Sequence, residues 1–436
     1  MAKRRFFRDF IGVLNSNVVS IICMVFVSIL LTRILGVEGF GLYYALLVIP
    51  LIVVSLTHLG IRGASIFMIG QKKFNDDEIV SSVVFILAFT SILGIILSIG
   101  AYSFFMEPEY TIMMIGLVVL IIPFRLSIIY IGGIFFGKDE IKQANRFEWA
   151  INLINLILAV ILVWWFNMGL LGAIISMSVA NILVGLYALF IISRKFNIRF
   201  KYLPTVIKQL LSLGIMYAFT FFVIQLNYRI DILLLEKLST IHEVGIYSLG
   251  VHIAEQLWQI PFAISIVLFS RTANMKDQSK ITQSTISLAR LSFILIFLLS
   301  IVVAIIAPYI IPFVFGDEFT PTIDVLQLLL PGIIILVIFR VLSGQLAGMG
   351  KPYIAIYVFV PALIINVLLN FLWIPEHGSK GAAWASDISY TIGTIGYWLI
   401  YSKVLKVDLF EIFRFKNTDI SIFVELKTKL VHKWKT

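Results

Sequence analysis

The stretch LNYRIDILLLEKL, residues 226–238, sets Arg229 and Asp231 inside an otherwise apolar run. A charge facing hydrocarbon costs roughly 2.5–3.5 kcal/mol on insertion scales, so each of the two needs a polar partner or a wet cavity. Residues two apart on a helix point to different faces, so each needs its own. Whether the surroundings are lipid is decided by the rest of the chain.

The chain has 436 residues, 60% of them hydrophobic and 13% charged. A soluble domain carries about 25% charged residues. Runs such as 79–104 and 291–311 contain no charge, and about 20 apolar residues span a bilayer. A large soluble protein with an apolar core does not produce such runs. The N-terminus is continuous with the first apolar segment and is expected to be part of it rather than a cleaved signal peptide. The single cysteine, Cys23, lies in an apolar helix and is read as packing.

Twelve segments are long enough to cross, at roughly 10–32, 42–68, 79–104, 112–136, 145–166, 170–193, 207–236, 244–270, 285–311, 322–347, 353–374 and 381–403. Pro108, Gly169, Gly316, Pro321, Gly350, Pro352 and Pro375 mark the turns between them. Of the 34 Lys and Arg residues, 28 fall on the side of the termini. Only Arg33, Arg229, Lys237 and Lys380 fall opposite, and Arg125 and Arg340 lie within spans. Basic residues accumulate on the cytoplasmic side, so both termini are expected there. The net charge of +10 is thus topology, and no nucleic-acid partner is expected. Residues 407–436 form a basic, mildly amphipathic tail, expected to lie on anionic lipid or to be disordered.

The chain repeats itself after about 205–215 residues. Gly41-Leu42-Tyr43 opens the second segment and Gly245-Ile246-Tyr247 the eighth. Arg33 pairs with Lys237, Phe124-Arg125 with Phe339-Arg340, and Gly137-Lys138 with Gly350-Lys351. Gly169-x-x-Gly172-Ala173 pairs with Gly378-x-x-Gly381-Ala382. Two six-helix halves follow, 1–200 and 201–406. Six is even, so both copies share one orientation, as in parallel-repeat transporters whose halves rock about a central cleft. The expected class is an all-α polytopic membrane protein.

Several ionisable groups lie well inside spans. Arg125 and Glu255 are near the centres of their segments, with His58 close to the centre of the second. Arg62 and Arg340 lie toward the cytoplasmic side, and Arg229, Asp231 and Asp387 toward the outer side. The arginines 62, 125, 229 and 340 outnumber the carboxylates Asp231, Glu255 and Asp387, so a cleft they line is cationic and suits an anion. Arginine matches phosphate oxygens bidentately. Glu255, beside Gln256 and near Gln259, could take up a proton or coordinate sodium. Arg62 and Arg229 could instead snorkel to headgroups, and Arg33, near an interface, could equally be an anchor. Most tryptophans read as interfacial belts; Trp258, one turn from Glu255, is the one expected at the cavity. Asp231 is expected to balance Arg229 when the cavity is empty.

Enzyme chemistry finds no footing. The five histidines show no metal-ligand spacing. GQLAGMG at 344–350 lacks the ending of a phosphate loop and closes a membrane segment. No outer connection is long enough for a catalytic domain. No cofactor is expected beyond a coupling H+ or Na+.

Three stretches carry a family resemblance: LTRILGVEGFGLYYALLVIP (31–50), HLGIRGASIF (58–67) and YRIDILLLEKLSTIHEVGIYSLGVHIAEQL (228–257). Over nearly all of 1–406 the chain resembles the polysaccharide transporter branch of the multidrug/oligosaccharidyl-lipid/polysaccharide exporter superfamily, the O-antigen and capsular repeat-unit flippases. The resemblance implies a V-shaped bundle of twelve transmembrane helices with a cationic central cavity, in the cytoplasmic membrane of a bacterium or archaeon. It implies an undecaprenyl-pyrophosphate-linked oligosaccharide moved from the inner to the outer leaflet. Polysaccharide polymerases and chain-length regulators would be partners, beside the membrane lipids. Carried over residue by residue, Arg33, Arg62, Arg125, Arg229 and Arg340 would bind substrate, and Asp231 and Glu255 would couple the ion; Asp387, by its place inside a span, is a third candidate for coupling. A multidrug or organic-cation antiporter of the same fold would want an acidic, apolar cavity, which the arginine excess opposes. A non-transporting scaffold of polysaccharide assembly is compatible with the repeat.

Overall fold

The computed structural model describes residues 2–105, 108–138, 140–199, 202–274 and 278–414, and the described secondary structure is entirely helical. Nine continuous helices among the described residues are long and apolar enough to cross a membrane, and one bent pair makes a tenth. Two of the nine, 19–71 and Ile354–Leu405, run to 53 and 52 residues. Straight, each would reach about 80 Å at 1.5 Å per residue, against a hydrocarbon core of about 30 Å. Each therefore holds two crossings, and the backbone leaves helical geometry at Gly36 (φ 66°) and Gly378 (φ 55°). Glycine occupies such positive φ at no steric cost. The twelve crossings are α1 (2–35), α2 (37–71), α3 (Asp76–Tyr102), α4 (Ile112–Gly137), α5 (Ile141–Ala159, continued by a π turn Val160–Trp165), α6 (Gly169–Lys195), α7 (Pro204–Leu238), α8 (Ile241–Gln256 and Gln259–Asn274), α9 (Gln278–Phe315), α10 (Thr322–Gly348), α11 (354–377) and α12 (379–405).

Local sequence explains the starts. Asn75 and Glu78 form a reciprocal capping box at α3, and the hydroxyls of Thr111 and Thr240 cap α4 and α8. The last turn falls at Gly378 rather than at Pro375, which stays helical. Two spans read as continuous are interrupted. In α2 the helix breaks at 58–60, where His58 Nδ1 accepts the Gly60 N–H at 2.8 Å. In α8 the two pieces meet at 51° around Leu257-Trp258. Pro261, four residues beyond Leu257, has no N–H to offer the Leu257 carbonyl.

The α1–α2 segment packs on α7 and α8 across the halves. Gly41 and Gly245, the glycines of the repeat, bring the backbones of α2 and α8 together: a Cβ on Gly41 would lie 2.9 Å from Gly245 N, and one on Gly245 would strike the Val37 carbonyl. Small residues at a membrane-helix crossing permit this approach. The outward faces carry apolar side chains such as Phe89, Ile96, Ile305 and Phe313, all more than half exposed, as lipid contact requires. Trp164 and Trp165, at the end of α5, are exposed as expected of an interfacial belt. Of the tail, residues 409–413 form a 3-10 turn seated on α9: buried Arg290 donates to the carbonyls of Ile412 (2.7 Å) and Glu411 (2.5 Å). This part is docked on the C-terminal half. Residues 415–436, the rest of the expected lipid-lying tail, are outside the described residues.

Candidate functional site: a charged seam between two halves

Arg229 on α7 donates to Glu255 on α8 at 2.9 Å, and both side chains are about four-fifths buried. They line a cavity of about 60 Å³ with Tyr44, Val48 and Leu51 of α2 and Ser248 and His252 of α8. Tyr44 and His252 share a 3.1 Å hydrogen bond across the halves. The volume suits a few waters and no sugar chain, so any large cargo requires the halves to part. Glu255, not Asp231, is the carboxylate that balances Arg229. The reason is the helical phase at 229 and 231: Arg229 faces the seam and Asp231 the interior of the C-terminal half.

Asp231 is fully buried. It accepts hydrogen bonds from Tyr247 Oη (2.9 Å), Ser386 Oγ (2.5 Å) and Asn370 Nδ2 (2.6 Å). Asn366, one turn earlier on α11, accepts from Asn370 at 2.8 Å. Asn370 Oδ1 and Asn227 Oδ1 are buried oxygens without a donor. Among the described residues no cationic side chain pairs with Asp231. The result is a buried carboxyl group ringed by neutral hydroxyls and amides, on four helices of one half. In the other half the position matching Asp231 by the Gly41–Gly245 offset is the buried apolar Val27.

The remaining residues separate. Arg125 on α4 makes a forked pair with Glu148 on α5 (3.0 and 3.4 Å). Glu148 was not among the carboxylates singled out from sequence. Arg62 lies over the Phe136 ring at 4.8 Å, and among the described residues no carboxylate pairs with it. Arg340 on α10 lies over Tyr228 at 4.9 Å and Trp258 at 4.7 Å, likewise without a carboxylate among the described residues. Trp258 is buried at the α8 break and, against expectation, is not among the residues that line the seam cavity. Arg33 donates to the carbonyls of Phe313 and Val314 at the C-terminal end of α9, the latter at 2.9 Å. A cation there meets the negative end of the helix dipole. Asp387 does not join Asp231; it accepts the Gly332 N–H of α10, beside the kink-prone Pro331. At the end of the bundle opposite the termini, Tyr110 donates to Glu236 at 2.7 Å and Phe40 meets Phe319 edge-on at 5.8 Å. These contacts, with Arg33 and Gly41–Gly245, close the halves together there.

This architecture, two similar six-helix halves with a charged seam, is that of a membrane transporter. The profile of the family described as "Polysaccharide biosynthesis protein" matches residues 7–269, and that of the MatE family residues 217–372. The chain belongs to the polysaccharide biosynthesis protein family, within the multidrug/oligosaccharidyl-lipid/polysaccharide exporter superfamily; it is a multi-pass membrane transporter and not an enzyme. It is 24% identical over 398 residues to the capsular polysaccharide biosynthesis protein CapF of Staphylococcus aureus, covering 89% of this chain and 97% of that protein. Its fold is similar to the lipid II flippase MurJ in an inward closed conformation (TM-score 0.72, 16% identity, 92% of this chain and 89% of that one). It is also similar to an inward-facing multidrug resistance MATE transporter (TM-score 0.69, 14% identity, 89% and 94%).

Proposed function

We propose that this chain is a flippase for undecaprenyl-pyrophosphate-linked oligosaccharide repeat units, moving them from the inner to the outer leaflet of the cytoplasmic membrane by ion-coupled alternating access. The observation that carries the reading is the seam itself. The helices on either side of it, α2 and α8, are both interrupted mid-span, with Arg62 following one break and Glu255 preceding the other. Interrupted helices at the interface of repeats mark substrate and ion sites, because unsatisfied backbone at that depth survives only beside a cavity. Arg62 and Arg340, neither of them in an ion pair among the described residues, suit an anionic cargo. The similarity to a capsular polysaccharide biosynthesis protein supports a glycan as that cargo.

In the cycle, cargo enters from the cytoplasmic side while the far end is held shut by Gly41–Gly245 and Arg33. The pyrophosphate draws Arg229 away from Glu255, the seam loosens, and the far end opens. Asp231 supplies the coupling site: a proton or a sodium ion neutralises the buried carboxylate, since a buried charge without a counter-charge is costly. Glu255 shares in coupling through its exchange of Arg229. Both termini face the cytoplasm, and a polymerase and chain-length regulator would act on the flipped glycan at the opposite face of the membrane.

The test uses cells that lack this protein and retain the glycan pathway. Complete pyrophosphoryl oligosaccharide should accumulate, shielded in the cytoplasmic leaflet, and wild type should relieve it while Arg229→Ala does not. No accumulation, with new sensitivity to cationic drugs, would move the chain to the antiporter class that the MatE match allows.

A further inference from the structure

Three buried hydrogen-bond donors meet at the break of α8 and lack acceptors: Trp258 Nε1, Tyr228 Oη and Arg340 Nε. Trp258 is 5% exposed and Tyr228 2%. Their rings lie 5.1 Å apart, and Tyr390 closes the group at 5.4 Å from Tyr228 and 5.9 Å from Trp258. Arg340 sits over both of the first two rings. Trp258 is also the residue just before the second piece of α8, Gln259–Asn274, whose first N–H groups have no partner within the helix. Folding rarely leaves one buried donor unsatisfied. Three on side chains in mutual contact, beside a helix N-terminus and an arginine that forms no ion pair among the described residues, make a buried, donor-rich cluster of aromatic rings around Arg340.

We infer that this group is a recognition site for a carboxylate-bearing sugar, a uronic acid within the transported oligosaccharide. One guanidinium matches one carboxylate in charge. Indole N–H and phenol O–H complete its hydrogen bonds. A diphosphate, with at least two negative charges, is matched less well by this single guanidinium. The inference rests on the reading of the cargo as an oligosaccharide. It gives Trp258 and Tyr228 a specificity role that the seam residues do not have.

The test is direct binding to the full-length protein in nanodiscs, by calorimetry, with methyl β-D-glucuronide, methyl β-D-glucoside and inorganic pyrophosphate as probes. The glucuronide should bind at least tenfold tighter than the glucoside. Trp258→Phe keeps a ring and removes the indole N–H; Tyr228→Phe keeps the ring and removes the hydroxyl. Each should weaken the glucuronide about tenfold or more, the usual size of a hydrogen bond to a charged group, while leaving pyrophosphate binding unchanged. If Trp258→Phe fails to elute as a single species, Tyr228→Phe decides alone. Equal binding of glucuronide and glucoside, or unaltered glucuronide affinity in the variants, would overturn the site. So would pyrophosphate binding that falls with Trp258. The measurement does not depend on export: if cells lacking the protein accumulate no lipid-linked oligosaccharide yet glucuronide binds as described, the flippase reading fails and the site stands.

Discussion

Arg229 and Glu255 form an ion pair at 2.9 Å between α7 and α8, on the wall of the cavity where the two halves meet. Asp231, two residues along, turns its back on that pair and is held by Tyr247, Ser386 and Asn370. One turn of α7 thus presents a cation to the seam and a carboxyl group to the interior of the C-terminal half.

The pair can be separated from its use by swapping it. Removing one partner of a buried pair strands the other and costs about 3–5 kcal/mol when burial is complete; with both groups about one-fifth exposed, about 1–3 kcal/mol is expected for Arg229→Ala. The double change Arg229→Glu with Glu255→Arg should recover most of that stability, read as the melting temperature in detergent. Export of the glycan should not recover, because the cation now stands on α8. Full export by the swapped protein would show that the pair only holds helices together.

Asp231→Asn keeps the shape of the buried cluster and removes its charge. The wild-type protein should melt at a higher temperature when the coupling ion is supplied, since a ligand at 100 times its Kd adds about 2.7 kcal/mol to the folded state. Titration with sodium, and separately with acid, identifies which ion acts. Asp231→Asn should lose that response while folding normally. A variant that keeps the full ion response would remove Asp231 from the coupling mechanism.

The fold was largely legible because bilayer thickness is written in run length. Each of the twelve apolar segments corresponds to a crossing, and the Gly41–Gly245 match of the repeat proved to be a physical contact between halves. The breaks were not legible: membrane helices tolerate proline, so Pro261 alone does not announce a 51° bend. The site was legible in parts. Arg229 and Asp231 stood out because charges in apolar runs demand partners, and the i, i+2 rule separated them. Glu148 was missed because it lies near the start of its span, where a charge costs little; its pairing with Arg125 depends on the rotation of α4 against α5. A signal for the Asp231 cluster was present in Asn366 and Asn370, one turn apart on an apolar helix; Asn370 meets Ser386 of the next helix on the Asp231 carboxyl group.

The docked start of the tail should support the C-terminal half. Arg290 is 3% exposed and donates to the carbonyls of Ile412 and Glu411, while Phe413 rests on Phe293 and Trp398. Removing residues after Lys406 takes these two acceptors from a buried cation, at about 1–3 kcal/mol. The melting temperature should fall by several degrees. Truncation after residue 414 should leave it unchanged, and an equal loss from both truncations would place the effect beyond the docked turn.

Closure of the end opposite the termini should depend on the absence of side chains at Gly41 and Gly245. A Cβ on Gly245 strikes the Val37 carbonyl, and one on Gly41 lies 2.9 Å from Gly245 N. Neither obstacle is the flexible end of a side chain, so alanine at either place must push α2 and α8 apart. Ser248 lines the cavity behind this contact and is 1% exposed. With Cys23, the chain's one cysteine, replaced by alanine, Ser248→Cys makes a single reporter there. A membrane-impermeant maleimide added outside intact cells should label it slowly in the otherwise native chain and several-fold faster with Gly245→Ala or Gly41→Ala. Arg33→Ala should add a smaller increase, since its hydrogen bonds to the end of α9 are exposed and such contacts contribute about 1 kcal/mol. Because opening the far end too readily uncouples it from cargo, Gly245→Ala should also export poorly. Unchanged labelling in both glycine variants would mean that the close approach of α2 and α8 does not gate the outer path.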